Sequence, residues 1–244
     1  MRLGIVALAL TGAALVGTRA HAETCPIPAG ADPKLAEIDA RDRMHFLQRE
    51  LGAQARYAGL WQTTWFAART VILAAEVGMA FIGPTPEDRL DATVTSVFAA
   101  LPPIGTLLFG LRVSHDGPRF LRLDHLDTDA SRCAYVARGE QFFARDAENE
   151  DESRNWVQHA LQIGGSTALF LVLGLGYGHW RNAILNGAAG IALGEFQILS
   201  QPTGLVSAWQ RYRAGDLGTG QKVSVKVTPQ LSPTFAGMTL TASF

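Results

Sequence analysis

The residues of this sequence that could do chemistry are four charged or amide side chains inside long apolar stretches. Arg69 and Glu76 lie in the first stretch, and Asn186 and Glu195 lie in the fourth. Ionisable groups in membrane segments are costly, and they line polar paths or pair with one another. At a rise of about 1.5 Å per residue, Arg69 and Glu195 reach a similar depth. The sequence therefore predicts an interhelical pair of Arg69 with Glu195 that orients the helices, or alternatively a polar path or substrate site.

Motifs of known catalytic and cofactor sites are missing from the sequence. It contains no GxSxG, HExxH or CxxC pattern. Residues 174–179 are superficially similar to a dinucleotide fingerprint, but His179 stands at the third glycine position. An acidic cluster lacks the glycine and the distal glutamate of a calcium loop and is interpreted as solvated; its members are Asp124, His125, Asp127 and Asp129. We therefore predict no enzymatic activity, no cofactor and no metal ion.

The two cysteines are Cys25 and Cys133. In an oxidising compartment an even number of cysteines favours one disulfide bond. In the chain-entropy model, a closed loop of about 100 residues stabilises the folded state by roughly 4 to 5 kcal/mol. Two unrelated buried thiols are the alternative.

The first 22 residues have the features of a secretory signal peptide. Arg2 gives a positive start, an apolar run occupies residues 3–16, and the Ala-His-Ala sequence at 20–22 fits a cleavage site. Cleavage after Ala22 would leave both cysteines on the far side of the membrane, as would the alternative of an uncleaved anchor helix.

Composition agrees with an envelope protein. Hydrophobic residues make up 48% of the chain and charged residues 18%, whereas charged residues form about a quarter of a typical soluble domain. The formal net charge of -1 excludes a basic nucleic-acid-binding surface.

The first two apolar stretches are predicted to form a helix pair. Asp32-Pro33 is typical of a helix N-terminus, and no stop signal precedes Gly83, so one helix is predicted from the aspartate to Ile82. A packing face recurs along it every three or four positions; its members are Ala40, Met44, Leu47, Leu51, Ala55 and Ala58. The second stretch, residues 92–111, contains two central prolines, which a membrane helix tolerates and which would divide a soluble helix.

The third and fourth apolar stretches are predicted to form a helical hairpin. Residues 161–177 contain no charge, and residues 183–199 contain only Glu195. Glycines four positions apart let helices approach closely in lipid; the candidates are Gly174, Gly178, Gly190 and Gly194. Between the two helix pairs the chain is polar, and its acidic end, residues 140–154, is interpreted as a solvated helix face.

The C-terminal region combines an interfacial segment with strands. Trp209, Arg211, Tyr212 and Arg213 are typical of an interfacial anchor. Residues 222–228 and 236–244 alternate apolar and polar side chains, which predicts a β-hairpin. The terminal Phe244 is typical of an outer-membrane barrel strand, but the chain lacks the repeated alternating segments of a barrel, so only several chains together could close one.

Together the patterns predict a mainly α fold: a polytopic helical membrane bundle of about four apolar helices with a C-terminal β-hairpin. The predicted division is a signal peptide (1–22), an outer-side N-terminal helix (23–56), a first apolar helix pair (57–112), a polar extramembrane segment (113–155), a second apolar helical hairpin (156–204), and an interfacial segment with the β-hairpin (205–244). Four spans would place the polar segments and both cysteines on the outer side of the inner membrane. The basic residues concentrate there too, which reverses the usual positive-inside bias.

The predicted function is a non-enzymatic structural or assembly role in the bacterial cell envelope. Its expected partners are the lipid bilayer and a second copy of the chain or another envelope protein, with no nucleic acid. The expected location is the inner membrane with most polar segments periplasmic, or alternatively the outer membrane. Two other functions stay open: a channel or transport accessory that uses Arg69, Glu76 and Glu195, and an outer-membrane oligomer joined through the C-terminal hairpin.

Overall fold

The computed structural model of the chain describes residues 24–108, 110–123, 129–218, 224–232 and 235–243. Side chains are described only as far as residue 218, with that of Asp129 left out. Several predicted features lie outside the described residues: the signal peptide (1–22), the terminal Phe244, and Asp124, His125 and Asp127 of the acidic cluster.

The first long helix begins later than predicted because the sequence offers two caps in succession. The Asp32 carboxylate accepts a backbone N–H at 2.9 Å and starts a short 3-10 helix, Pro33–Glu37. The Asp39 carboxylate then accepts a backbone N–H at 2.8 Å and caps α1 (Ala40–Ile82). A side-chain oxygen that satisfies a free N–H of the first turn stabilises a helix start, so Asp39 fixes where α1 begins.

Helix α1 is too long to lie wholly within a bilayer. Its 43 residues correspond to about 65 Å at a rise of about 1.5 Å per residue, whereas the hydrocarbon core of a bilayer is about 30 Å thick. The predicted packing face occupies its first half and is buried, which confirms that part of the prediction: Ala40, Met44, Leu47, Leu51, Ala55 and Ala58.

The second helix, α2 (Pro86–Leu108), continues through both central prolines, so the alternative of two short helices is wrong. Thr85 and Asp88 cap its start reciprocally: the Asp88 N–H donates to the threonine hydroxyl at 3.0 Å, and the Thr85 N–H donates to the aspartate carboxylate at 3.3 Å. The Thr106 hydroxyl donates to the carbonyl of Pro102 at 3.0 Å. The two prolines bring no N–H, so the carbonyls that lose their helical donor are those of Phe98 and Ala99, four residues earlier.

The polar helices pack around the first half of α1. They are α3 (Val113–Leu121), α4 (Asp129–Glu152) and α7 (Gly204–Arg213). Their apolar faces meet α1 in one core, whose fully buried members include Phe46, Leu47, Phe120, Phe143 and Leu205. We call this part of the molecule the head; it comprises residues 24–58, 111–123, 129–152 and 204–218.

The apolar helices leave the head as two hairpins. The second half of α1 pairs with α2, and α5 (Trp156–Leu171), extended by a π-helical turn at Val172–Gly176, pairs with α6 (Trp180–Leu199). Four helices of the described chain are long and apolar enough to cross a membrane. Large apolar side chains point outward from this part of the molecule, such as Phe81 and Ile82, each 79% exposed. We call it the apolar bundle; it comprises residues 59–108 and 156–199.

Beyond residue 218 the backbone forms two antiparallel strands, β1 (Ser224–Ser232) and β2 (Phe235–Ser243), with Ser224 opposite Ser243. Their side chains lie outside the description. The predicted C-terminal hairpin with one packed face therefore stays a prediction.

The predicted disulfide joins Cys25 to Cys133, with the two Cα atoms 5.2 Å apart. It ties the extended N-terminal segment of the head to α4. Because the two residues are separated by 108 positions, the bond closes a loop that includes α1, α2 and α3.

Candidate functional site

The head contains a buried ionic network that the sequence did not predict. The Arg43 side chain is fully buried, and its guanidinium donates to the Tyr212 hydroxyl at 3.0 Å, to the Cys25 carbonyl at 2.9 Å and to the Pro26 carbonyl at 2.8 Å. It also forms an ion pair with Glu140, whose carboxylate accepts from the Tyr212 hydroxyl as well. A buried charge is tolerated only when it is paired and hydrogen-bonded, as here.

Two predictions about these segments need correction. The acidic end of α4 is only in part a solvated face: Glu148, Asp151 and Glu152 are exposed, whereas Glu140, Asp146 and Glu150 are buried. Tyr212 is not part of an interfacial anchor, because it lies in the head core. A signal was available in the spacing: Glu140 lies four residues after Val136 and three before Phe143, which places it on the apolar stripe of its helix.

Two further carboxyl groups of α4, those of Glu150 and Asp146, are buried. Glu150 contacts the start of α7, and Asp146 lies beside Asp116. Glu150 accepts the N–H groups of Leu205 and Val206 at 3.0 and 3.2 Å at the start of α7, and burial raises its pKa to about 7. Burial and the neighbouring Asp116 raise the pKa of Asp146 to about 8. Arg145 binds Asp116 and its Nε lies 3.9 Å from the Asp146 carboxylate, whose two oxygens have no hydrogen-bond partner among the described residues.

These shifts predict that the head loses stability as pH rises. Unfolded carboxyl groups have a pKa near 4, so between about pH 4 and pH 8 the folded state holds protons that the unfolded chain has released. The stabilisation is complete below the unfolded value and is lost as pH rises through about 7 for Glu150 and about 8 for Asp146. We expect the unfolding temperature in detergent to fall from about pH 5 to pH 9, and Asp146→Asn to flatten the fall. An unfolding temperature that rises over this range would contradict the assignment, and Glu148→Gln, at an exposed site of α4, is the control.

A cavity of about 670 Å³ lies inside the apolar bundle, where the two hairpins face each other. Each helix presents one face to it. On α5 the lining positions are Gln158, Leu161, Gln162, Gly165, Ser166 and Leu169, spaced as one stripe of a helix. At the head end the cavity reaches Leu111 and Gln201, and further along the bundle it reaches Thr95 and Asn186.

Arg69 is the buried cation of this cavity. It is 7% exposed; its Nε donates to the Gln197 side chain at 3.1 Å, and its guanidinium carbon lies 5.7 Å from the centre of the Trp65 ring. Its Nη2 atom is buried without a hydrogen-bond partner in the described chain. None of the ion pairs among the described residues involves this guanidinium.

The predicted pair of Arg69 with Glu195 is wrong. The Glu195 carboxylate instead accepts from Nδ1 of His159 at 2.6 Å, between α5 and α6. Similar depth did not suffice because, on a helix of 3.6 residues per turn, the side chains at positions 195 and 197 point in directions about 160° apart. Gln197, rather than Glu195, is on the face of α6 that meets α1.

The structure brings three of the four polar candidates to one cavity. Arg69, Glu76 and Asn186 line it, and Glu195 does not. The Asn186 amide donates to the Asn182 carbonyl of its own helix at 3.0 Å. Other polar side chains that the sequence did not single out also line it, among them Thr95, Gln158, Gln162, Ser166 and Gln197.

Three of the four glycine candidates lie in tight packing contacts, and the fourth lies in a turn. A Cβ at Gly190 would lie 2.8 Å from the Ser166 hydroxyl, and one at Gly174 would lie 2.8 Å from the Trp180 ring. A Cβ at Gly194 would lie inside the Gln162 side chain. Gly178 differs, since open space surrounds it and its φ of +76° requires glycine in the turn before α6.

The end of the bundle opposite the head is held by a polar clasp. The buried Asp91 carboxylate of α2 accepts from Nδ1 of His179 and, at 2.6 Å, from the Asn182 amide. At the head end, the indole N–H groups of Trp61 and Trp65 both donate to the Ser200 hydroxyl at 3.2 Å. The two hairpins are therefore joined at both ends, and the cavity lies between these contacts.

The described residues include no group of three or more histidine, cysteine, aspartate or glutamate side chains that could hold a metal ion. Comparisons of the chain with models of protein families, with curated proteins and with solved structures give no match. The fold and the site thus define a class on their own terms: a mainly helical protein with four helices of membrane-spanning length and composition, a disulfide-bonded polar head and a polar-lined cavity between two helical hairpins.

Proposed function

We propose that the protein is an integral membrane protein of the bacterial cell envelope that binds a small amphipathic molecule between its two helical hairpins, in a non-enzymatic role. The observation that carries this is the cavity of about 670 Å³ lined by all four apolar helices. Sites for small molecules are typically clefts of about 300 to 1,000 Å³. Apolar side chains such as Phe98 and Leu169 suit a tail, and amides such as Gln162 suit a polar head group.

This proposal is a narrower form of the transport-accessory hypothesis. It keeps Arg69 and Glu76 as site residues and leaves out Glu195, whose carboxylate is engaged by His159. We place the bundle in the inner membrane and the head in the periplasm. The signal-like N-terminus and the disulfide in the head support this, since disulfides form and persist in the periplasm.

Membrane residence has a direct test. Because the apolar helices expose large side chains along their length, we expect the protein to stay in the pellet after carbonate extraction and to need detergent for purification. Density-gradient fractionation of envelopes should place it with inner-membrane markers. Recovery of the mature chain as a soluble monomer would contradict the membrane assignment, and sedimentation with outer-membrane markers would favour the outer-membrane alternative.

Two glycines of α5 give a matched test of the binding site. A Cβ at Gly164 or at Gly165 would meet only open space, but Gly165 lines the cavity and Gly164 does not. We expect native mass spectrometry of the gently purified protein to show a non-covalent small-molecule adduct. Gly165→Trp should lose the adduct because the indole fills the cavity, and Gly164→Trp should keep it. A wild-type protein without any adduct, or equal loss in both variants, would contradict the proposed function.

A structural or assembly role is the second candidate, and the braced head favours it. The disulfide and the buried Arg43–Glu140–Tyr212 network fix the surface that the head would present to another envelope protein or to a second copy. In-cell cross-linking tests this role. A specific cross-linked partner that persists in Gly165→Trp would favour assembly over ligand binding, as would an oligomer that is lost when residues 219–244 are removed.

A further inference from the structure

We infer that the amphipathic molecule carries an anionic head group on a single apolar chain, and that the head group binds at Arg69. This inference depends on the proposed function, because it assigns the chemistry of the ligand in the same cavity. It starts from a charge that the described part of the protein leaves unpaired.

The Arg69 guanidinium, which belongs to a residue that lines the cavity, has spare donor capacity. An arginine side chain carries five N–H donors, and in the described chain Nε is engaged by Gln197 while Nη2 is buried without a partner. Deeply placed arginines in membrane helices pair with other groups because the unpaired charge is costly. A carboxylate or phosphate supplies a pair of acceptor oxygens that matches the planar guanidinium.

The position of Arg69 orients the ligand. Glu76 lies seven residues further along α1, about 10 Å away at a rise of about 1.5 Å per residue, and it lines the same cavity. The Glu76 carboxylate disfavours an anion at the end of the cavity away from the head. The anionic group therefore lies at Arg69, in the half of the cavity nearer the head.

The size of the cavity favours one apolar chain. If each non-hydrogen atom takes about the 30 Å³ that water occupies in the liquid, 670 Å³ has room for roughly twenty atoms. That number corresponds to one long acyl or alkyl chain with a small head group. A phospholipid with two chains exceeds it.

The experiment compares ligands that differ only in the head group. The purified protein is delipidated, reconstituted in phosphatidylcholine nanodiscs and offered hexadecyl phosphate, palmitate or hexadecanol, and the bound fraction is measured by native mass spectrometry. Hydrogen bonds between charged groups are stronger than those to a neutral hydroxyl, so we expect the two anions to bind at least about tenfold more tightly than hexadecanol. Arg69→Gln should abolish that preference by lowering the affinity for the two anions to about that for hexadecanol.

Two further variants test whether the effect of Arg69→Gln comes from the lost positive charge or from a folding defect. Arg69→Lys keeps the positive charge and should keep most of the preference for an anion, while Glu76→Gln removes the opposing carboxylate and should increase it. If Arg69→Gln is unstable, the Glu76→Gln result alone decides: no increase in anion affinity overturns the inference.

Each remaining outcome has a defined meaning. Equal binding of hexadecanol and the anions by the wild-type protein overturns the anionic head group and leaves the proposed function standing. Binding of no amphiphile at all overturns both. Inorganic phosphate that competes as strongly as hexadecyl phosphate overturns the amphipathic ligand in favour of a free anion, and a preference for phosphatidylglycerol over both single-chain anions overturns the single chain.

Discussion

Replacing Glu140 with alanine is expected to lower the free energy of unfolding of the head by about 3 to 5 kcal/mol, because a fully buried guanidinium then loses its counter-charge. Arg43 would keep its bonds to two carbonyls and to Tyr212, but none of these carries a negative charge. The loss should appear as a lower midpoint of thermal unfolding in detergent, followed by near-ultraviolet circular dichroism.

An exposed glutamate of the same helix serves as the control. Glu148 lies on the solvent side of α4, and surface substitutions usually change stability by less than about 0.5 kcal/mol. Glu148→Ala should therefore leave the midpoint almost unchanged. Equal midpoints for the Glu140 and Glu148 variants would show that the buried network does not form. The double change Arg43→Leu with Glu140→Leu should recover part of the loss, since apolar replacement removes both desolvation penalties.

Removal of the disulfide is the second change with a large expected effect. For a loop of 108 residues the chain-entropy model gives about 4 to 5 kcal/mol, and loss of a native disulfide typically costs about 2 to 5 kcal/mol. The variant with Cys25→Ser and Cys133→Ser should unfold at a lower denaturant concentration than the wild type. Reduction of the wild-type protein should produce the same shift.

Thiol counting provides the check on this bond. The native protein should contain no thiol that can be alkylated after denaturation without reductant, and it should migrate faster on nonreducing electrophoresis than after reduction. Two alkylatable thiols in denatured, unreduced protein would contradict the disulfide and would remove one support for a periplasmic head.

The sequence predicted the features that rest on long patterns. The packing face of α1 and the apolar helices followed from periodicity and from the absence of charge over many positions. The pairing of Cys25 with Cys133 followed from their even number and from the compartment that the signal-like N-terminus implied. Each of these depends on averages over a segment or on a count, so no knowledge of how helices are rotated was needed.

The sequence could not predict side-chain contacts that depend on how each helix is rotated about its own axis. Depth along α6 suggested Glu195 for Arg69, but the face of the helix selected Gln197 instead. Glu140 has the charge of a surface residue, and only the distant Arg43 and Tyr212 make its burial favourable. The cavity was equally inaccessible, because it is the space left where two hairpins meet only near their ends.

The most direct measurement is an electron cryo-microscopy map of the protein in a lipid nanodisc, with a matched map of Gly165→Trp. We expect non-protein density between the two hairpins that ends at the Arg69 guanidinium in the wild type, and we expect that density to be absent when the indole occupies the space. A map in which the hairpins close on each other, so that their own side chains fill the space and Arg69 pairs with a carboxylate of the chain, would contradict a ligand site in the bundle.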